Sequence, residues 1–334
     1  AVCLLLQLPV VQKFALQKAL DRIESSIDGR LEVDAIDVQP FDAARLEGVR
    51  IIDLNPLQFE DSKDTLFSAE KVYASFDLRS IIGGQGFHLG KVSLENASMN
   101  LVLEHGEYKD NLSRIFHLKP KGKVPGPKEI FSIRRLSAKN LHFHMIHPDS
   151  GLEYKGSGMD WNELDVDGDI EGHAMRFADG IMSFAADHIA LKEKSGYAIE
   201  HVSGHGRVGR GETLLEDLHL KDALSDIHLR TYRMGYENTK AFGRFINAVA
   251  LDADIAQSTL NPATLTAIVG LRPMDGIVLD IERGIMSGPV SGFSVSGLEF
   301  TETTSGIHAL LNGTMRGLPD IENTDMNVKL HLDN

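Results

Sequence analysis

The stretch KVYASFDLRSI, residues 71 to 81, contains the two-residue alternation that decides the fold class. Successive side chains of a β-strand point to opposite faces, so every second residue lies on the same side. The apolar positions of this stretch are Val72, Ala74, Phe76 and Leu78, and the residues between them are Tyr73, Ser75, Asp77 and Arg79. The stretch therefore predicts a strand with one apolar face and one wet face.

The same alternation recurs along the chain. It appears in ASMNLVLEHGE (97–107), GIVLDIERG (276–284), GIHALLNGT (306–314) and MNVKLHLDN (326–334). Turn-forming stretches such as EKSG, GRGE and RPMDG separate these segments. Many short strands with one wet face favour an antiparallel sheet, so the sequence predicts a mainly β protein.

Two regions have helical spacing instead. Between 9 and 27, apolar residues recur every three or four positions after Pro9, a residue that suits the first turn of a helix. A helical insert is predicted at about 239–269, where Asn261 and Pro262 have the residue types of a helix start. The segment KPKGKVPGPKE (119–129) is predicted to be a Pro/Gly linker or loop.

Composition and charge restrict the function classes. The chain has 334 residues and a formal net charge of -14. That charge argues against a nucleic-acid partner, because phosphate binding needs a basic surface. The single cysteine, Cys3, allows no disulfide within the chain, so stability must come from burial.

The first eleven residues, AVCLLLQLPVV, carry no charged side chain. This run is too short to cross a bilayer, which needs about 20 apolar residues. One interpretation is the end of an inner-membrane anchor that includes Leu4, Leu5, Leu6 and Leu8. The other is a buried N-terminal element. We adopt the anchor as the expectation.

Three histidines in LHFHMIH (141–147) are the first candidate for a chemical site. His142 and His144 are two residues apart on a predicted strand and therefore share a face, with His147 nearby. They could hold a metal ion, but such a site needs three or four converging ligands. No other ligand is close in the sequence, so a solvated strand face is favoured and no metal site is predicted.

Two further motifs resemble binding loops but lack the right context. Gly204, Gly206 and Gly209 form a G-x-G-x-x-G pattern, yet a strand rather than a helix is predicted after them, so turns explain these glycines better. DVDGDIEG (165–172) lacks two defining residues of a calcium loop and is interpreted as an acidic turn. No nucleophile elbow, Walker loop or H-E-x-x-H motif occurs. We therefore expect no catalytic residue, no cofactor and no enzymatic activity.

Several short motifs follow one another in a recognisable order. They are the I-x-D turn at Ile51 and Asp53, the strand start at Asp64, Thr65 and Leu66, the Gly90–Leu94 hairpin strand, Asn111 with Leu112, and the segments FGRFINAVALDADI (242–255) and LNGTMRGLPDIENT (311–324). This order resembles the N-terminal, membrane-proximal portion of the TamB and AsmA-like envelope proteins, particularly the Bacteroidota form. The likeness covers most of residues 8 to 334.

The resemblance implies a fold. We expect an elongated, twisted antiparallel sheet curled into an open apolar groove, with an N-terminal amphipathic helix and one or two short covering helices. The expected division is 1–11 for the end of the anchor, 12–28 for the amphipathic helix, 29–118 for a first β-groove module, 119–129 for the linker and 130–334 for a continuing groove. The residues expected to line the groove are Phe76, Leu78, Met99, Leu101, Leu103, Phe143, Met145, Leu279, Ile281 and Leu330.

The resemblance also implies a function and partners. Members of this type look like bridge-like lipid carriers, anchored in the inner membrane and extending into the periplasm. They are expected to move phospholipid between the inner and outer membranes and to meet a BamA- or TamA-type barrel through a C-terminal region missing from this chain. The alternative is a scaffold for translocation and assembly of outer-membrane proteins, in which exposed sheet edges pair with client strands.

Overall fold

The computed structural model describes most of the chain. The described residues are 9–25, 27–39, 43–56, 64–76, 87–103, 110–116, 129–147, 158–209, 211–237, 241, 245–269, 276–317 and 324–333. The predicted anchor leucines, Leu78 and the linker up to residue 128 lie outside these ranges. Most described residues belong to β-strands, so the prediction of a mainly β protein is confirmed.

The chain divides into two compact units. Unit 1 comprises Ala1–Ser150 and Trp161–Phe184, and unit 2 comprises Gly151–Asp160 and Ala185–Asn334. Strand β8, Ile181–Glu193, contributes residues to both units. The predicted boundary at the 119–129 linker stays a prediction.

In its described residues, unit 1 is a sheet with two helices. Its helices are α1 (Pro9–Glu24) and α2 (Asn111–Ile115). Its strands are β1 (Gly29–Glu32), β2 (Ala35–Gln39), β3 (Ala43–Asp53), β4 (Thr65–Phe76), β5 (Phe87–Val102), β6 (Glu129–Ile146) and β7 (Glu163–Ala178). β1 and β2 both pair with β3, and β4, β5, β6 and β7 follow in order.

A polar seam crosses β3 to β6 at one level of the sheet. It consists of Gly48, Glu70, Asn96 and Asn140. These residues lie at the same level of neighbouring strands, between the residues that pair across the strands on either side of them. The φ angles of Gly48, Asn96 and Asn140 are 62°, 51° and 53°, in the left-handed region. The Asn140 side-chain amide donates to Asn96 Oδ1 at 2.9 Å, and the Asn96 amide donates to the Glu70 carboxylate. Each strand therefore carries one extra residue at the same place.

The seam keeps the apolar residues of each strand on one face. An extra residue in a strand inverts the alternation of side chains beyond it. Leu46 and Val49 are three residues apart around Gly48, yet both belong to the same buried cluster. The spacing recurs in β5 at Leu94 and Ala97 and in β6 at Ala138 and Leu141. The register shifts between β6 and β7, where Ala138 pairs with Ile170 but Leu141 pairs with Gly168.

Helix α1 covers the apolar face of the first strands. It begins at Pro9, as the sequence indicates, and ends at Glu24, before the predicted end. Leu16 is buried against Leu46 and Phe76, and Leu20 packs at the edge of this cluster. Phe14, one of the apolar residues that recur between 9 and 27, is 64% exposed.

Helix α2 is attached to the sheet by polar side chains. Arg114 donates through Nη1 and Nη2 to both oxygens of Asp53, at 2.9 and 2.5 Å, and Asp53 is almost fully buried. The Asn111 side chain accepts from the Val102 amide and donates to the Asn100 carbonyl, so it takes the place of a neighbouring strand beside β5. Two of the motif residues quoted above, Asp53 and Asn111, therefore hold this helix in place.

The part of unit 2 that the structure describes is an antiparallel sheet with two short helices. Its strands are β9 (Ala198–Val208), β10 (Glu212–Asp222), β11 (Asp226–Tyr236), β12 (Val249–Ile255), β13 (Ser258–Leu260), β14 (Leu279–Pro289), β15 (Gly292–Glu302), β16 (His308–Arg316) and β17 (Asp325–Asp333). Its helices are α3 (Phe245–Ala248) and α4 (Pro262–Val269). The strands pair in chain order, with β12 and β13 lying end to end between β11 and β14.

Helix α4 is fixed to the turn between β10 and β11. Asn261 Oδ1 accepts from the Ala263 amide at 2.9 Å, so the predicted N-cap is confirmed. Thr264 donates to the buried Asp222 carboxylate at 2.7 Å, and the Tyr197 hydroxyl donates to the same carboxylate at 3.0 Å. Ser225 completes this buried network, which satisfies the carboxylate without a cationic partner among these contacts.

The structure corrects the prediction of a purely antiparallel sheet. β5 and β6 run parallel, with Phe87 opposite Phe131 and Val102 opposite Ile146. Parallel neighbours require a long crossover connection. The chain provides one between Val102 and Glu129, the region that includes α2.

Two local interpretations are also wrong. Val249, which lies inside the predicted helical insert at about 239–269, begins strand β12, because the alternation in VALDADI continues as strand. The DVDGDIEG stretch is part of strand β7 rather than an acidic turn. Its carboxylates face the wet side of the sheet, where Asp167 pairs across the strands with His142.

The seam generates a prediction about Gly48. A Cβ atom at this position would overlap the Asp34 carboxylate, which is held by two bonds from Arg50. Gly48→Ala combines that overlap with the cost of a left-handed φ. We expect it to lower the free energy of unfolding in urea by about 1–3 kcal/mol.

The matched control for Gly48→Ala is Gly196→Ala. Gly196 has a φ of 95° with no atom within 4 Å of a Cβ, so its substitution carries the backbone cost alone. We expect the smaller loss of stability at Gly196. Equal losses at the two glycines would contradict the role of close packing at the seam.

The attachment of α2 generates a second prediction. Asp53→Ala leaves the Arg114 guanidinium without its buried partner. Breaking such a pair costs about 3–5 kcal/mol, and we expect a loss of this size in urea unfolding. Asp34→Ala, which removes the solvent-exposed pair with Arg50, should cost far less. A small loss at Asp53 would show that α2 is not held by this pair.

Candidate functional site

The first candidate site is the apolar face of unit 1. Directly paired residues of neighbouring strands point to the same side of a sheet. One row across β4 to β7 is Phe67, Met99, Phe143 and Val166, and the next is Leu101, Met145 and Leu164. We name these seven residues the unit 1 apolar face. The sheet thus brings four of the predicted lining residues together as neighbours: Met99, Leu101, Phe143 and Met145.

This face is only partly covered. Most of its side chains are half-buried, including those of Met99 and Phe143 on the middle strands. In a sealed sandwich, central residues of this kind would be fully buried against a second layer. Burial is nearly complete beside α2, where Leu66 and Ile115 are 1% and 0% exposed, and Val166 and Leu164 on β7 are also buried. The apolar face is therefore covered at the α1 and α2 end and at β7, and is more open over β5 and β6.

The other predicted lining residues have different surroundings. Phe76 is 7% exposed and packs in the cluster under α1. Leu103 is half-buried at the end of β5, in a bridge with Asp110. Ile281 is buried, Leu279 is half-buried, and Leu330 is 52% exposed on β17.

Unit 2 carries a second apolar face. A row of directly paired residues runs across eight strands: Gly206, Leu215, Tyr232, Ala253, Met286, Val295, Gly313 and Val328. We name this row the unit 2 apolar face. Its larger side chains are half-buried or exposed. A compact cluster of buried apolar residues forms at one place near α3, from Tyr236, Ala241 and Val249.

An open depression of about 690 Å³ lies at one end of the unit 1 sheet. Its lining includes another in-register row, formed by Phe76, Leu89, Ile133 and Met175, and the side chains of Phe76 and Leu89 pack in the cluster under α1. Arg134 and Arg176 also line it, and each directly follows a residue of that row, so its side chain points to the opposite side of the sheet. Two guanidinium groups suit an anionic head group, since guanidinium binds phosphate oxygens.

The wet side of unit 2 carries a row of four histidines on four successive strands: His188, His201, His219 and His228. We name it the histidine row. His188 Nδ1 and His201 Nδ1 are 2.7 Å apart, and the rings of His219 and His228 are stacked with centroids 4.1 Å apart. His219 Nε2 and His228 Nε2 both lie within hydrogen-bonding distance of Asp226 Oδ1, at 2.8 and 2.9 Å.

Neighbouring groups shift the pKa of His201 in the histidine row and the pKa of Asp226 beside it. Burial, together with the nearby charges of His219 and His188, lowers the pKa of His201, although Asp226 opposes this effect. Partial burial tends to raise the pKa of Asp226, but the hydrogen bond and charge of His219 and the charge of His228 outweigh it, and the pKa lies below its ordinary value. Asp226 is therefore a carboxylate at neutral pH.

The histidines singled out from the sequence occupy a different place. His142 Nδ1 lies 2.9 Å from Asp167 Oδ1 and 3.6 Å from Asp165 Oδ1. His144 is 8% exposed and 3.7 Å from Glu163, so the expectation of a solvated face is wrong for this residue. In the described residues, these side chains do not form a group of three converging metal ligands.

Sequence reasoning missed the histidine row because its members are far apart in the chain. His219 and His228 become direct partners only through the antiparallel register of β10 and β11. A usable signal was present in HLKDALSDIH, which reads as two strands around a short turn with one histidine at each end. A hairpin centred on that turn would have placed the two rings side by side.

Comparisons with known proteins identify no family for this chain. No protein-family model matches it, and no curated protein sequence matches it either. The resemblance to TamB and AsmA-like proteins therefore stays a prediction. Among the described helices, none has the length and apolar character needed to span a membrane.

The openness of the unit 1 apolar face generates a prediction. Truncating a Phe in a sealed core costs about 3–5 kcal/mol, because it leaves a cavity that cannot refill. Phe143 is half-buried at a water-accessible surface, so Phe143→Ala should cost clearly less in urea unfolding. Leu66→Ala is the comparison, with an expected loss of about 2–5 kcal/mol. A larger loss at Phe143 than at Leu66 would indicate a closed core over β5 and β6.

Proposed function

We propose that this chain is a section of a non-enzymatic bridge that carries phospholipid along apolar sheet faces between the inner and outer membranes. It would be anchored in the inner membrane and lie in the periplasm. The observation that carries the proposal is the pair of in-register apolar faces whose middle residues, such as Phe143 and Met286, are half-buried rather than sealed.

The chemistry of these faces supports acyl-chain binding. Removing one methylene group from water is worth about 0.8 kcal/mol. A row of Leu, Met, Phe and Val side chains of similar size offers similar contacts at successive positions. An acyl chain can then exchange one set of contacts for the next without a large barrier, and no nucleophile or cofactor is needed.

The arginine-lined depression supports a cargo with an anionic head group. A head-group phosphate would lie near Arg134 and Arg176. Each guanidinium can donate two parallel hydrogen bonds to phosphate oxygens. A phospholipid therefore fits this surface better than a neutral hydrocarbon.

Photo-crosslinking in cells tests the proposal. Benzoylphenylalanine would replace Phe143 in unit 1 and, separately, Met286 in unit 2, and phospholipid adducts would be measured by mass spectrometry. The controls place the same probe at His142 and at Ile285, the adjacent residues on the opposite sides of the two sheets. We expect adducts at Phe143 and Met286 and far fewer at the controls. Equal yields on both sides, or no lipid at any site, would contradict lipid transport.

The depression allows a separate test with a charge-matched control. The double substitution Arg134→Gln and Arg176→Gln should reduce binding of vesicle-derived phosphatidylglycerol to the purified chain. Arg135→Gln, beside Arg134 and outside the depression, should leave binding unchanged. Equal effects of the double and control substitutions would show that net charge rather than this site attracts the lipid.

One observation favours the alternative, a scaffold for outer-membrane protein assembly with a BamA-type partner. Among the described strands, β17 is paired with β16 alone, and its Met326, Val328, Leu330 and Leu332 side chains are 39–57% exposed. An edge of this kind can accept a further strand. A photo-crosslinking probe at Leu330 that captures outer-membrane protein strands rather than lipid would favour the scaffold.

A further inference from the structure

Two histidines and one carboxylate converge on a single point on the wet side of unit 2. His219 Nε2, His228 Nε2 and an Asp226 carboxylate oxygen all lie within 4.8 Å of one another. Both ring nitrogens approach the same oxygen atom, Asp226 Oδ1, rather than one oxygen each. Ordinary surface ion pairs do not require this convergence.

The backbone fixes the three ligands without a loop. His219 and His228 are direct partners across β10 and β11. Asp226 lies two residues before His228 on β11, so the two side chains share a face. The neighbours Leu218 and Leu220 alternate with His219 and point to the opposite, apolar side. The ligand positions therefore follow from strand register alone.

The distances are close to those of a metal centre. Zinc bonds to histidine nitrogen and carboxylate oxygen are about 2.0–2.2 Å long, which places tetrahedral ligands about 3.3 Å apart. The present separations of 2.8 and 2.9 Å are hydrogen-bond lengths. Side-chain rotations that lengthen them by about half an ångström would admit an ion. The partly exposed rings of His219 and His228 leave the fourth position open to water.

Other charged groups around the site affect the choice of ion. His201 is tilted against His219, with ring centroids 5.0 Å apart, and can contribute a further imidazole only by leaving its contacts with His188 and Ser203. Lys221 lies opposite Asp226 in the strand register and opposes any cation. The site must therefore rely on coordinate bonds rather than on bulk negative charge. This requirement disfavours calcium and magnesium, which prefer oxygen ligands, and favours transition-metal ions, which bind imidazole well.

We propose that His219, His228 and Asp226 form a binding site for a divalent transition-metal ion, with zinc as the reference ion. On binding, each histidine that donates its Nε2 proton to Asp226 gives up that proton to solvent; a protonated ring keeps its Nδ1 proton, and a neutral ring takes up one proton at Nδ1, so the coordinating imidazole is neutral. The freed Nε2 lone pair then bonds to the metal. The ion bridges β10 and β11 on the side of the sheet away from the lipid-facing residues. This proposal is independent of the proposed lipid transport.

A second acidic group supplies the internal control. Glu282, Glu299 and His308 also lie within 4.8 Å of one another. Glu299 already holds the Arg283 guanidinium at 2.8 Å, which competes with any cation. This group contains one imidazole where the proposed site has two. A transition-metal ion should therefore bind at His219 and His228 in preference to His308.

Calorimetric titration of the purified chain with zinc chloride tests the site. We expect one high-affinity ion per chain. His219→Gln, His228→Gln and Asp226→Asn should each weaken binding by at least about tenfold, since loss of a supporting group alone costs about 10–100-fold in metal affinity. His308→Gln and His142→Gln should leave it unchanged. Absence of stoichiometric binding, or equal weakening by the control substitutions, would overturn the proposal.

A second measurement covers the case of a variant that fails to fold, as judged by far-UV circular dichroism. X-ray absorption at the zinc edge of the unsubstituted chain should show two imidazole nitrogens and oxygen ligands. Sulfur in the coordination shell would place the ion at Cys3 or a methionine and overturn the assignment. A shell with a single imidazole would likewise exclude the proposed pair.

Discussion

The polar seam is the constraint on which the sheet of unit 1 depends. One residue added to a single strand would invert its side chains and send apolar groups into water. The same addition in β3, β4, β5 and β6 leaves their mutual register intact. Hydrogen bonds from Asn140 to Asn96, and from Asn96 to Glu70, hold the added residues in line. The apolar face stays continuous across these strands because the irregularity is shared.

That continuity separates two kinds of surface within each unit. One side of the sheet carries rows of apolar side chains, most of which are half-buried. The other side carries carboxylates, arginines and histidines that pair across strands, such as Arg233 with Glu212 and Asp252. The cross-strand pairs fix the register, and the register in turn aligns the apolar rows. Polar contacts on one side thereby determine the surface on the other.

The sequence predicted strand content and the apolar side of individual strands, because a two-residue period is visible locally. It did not reveal the seam, although Leu-Glu-Gly-Val at 46–49, Leu-Glu-Asn-Ala at 94–97 and Ala-Lys-Asn-Leu at 138–141 share one pattern. Each looks like a break in the alternation until the three are aligned. The parallel pairing of β5 and β6 and the meeting of His219 with His228 depend on long-range register. No local pattern encodes either one.

The central claim is that the apolar faces bind lipid rather than form closed cores. Native mass spectrometry of the chain, purified from membranes in mild detergent, tests it most directly. The account predicts a mass increment equal to one or more phospholipids, which collisional activation removes, and a reduced increment when Phe143 and Met286 are both replaced by Asp. A chain that carries no lipid while the protein remains folded would contradict the account.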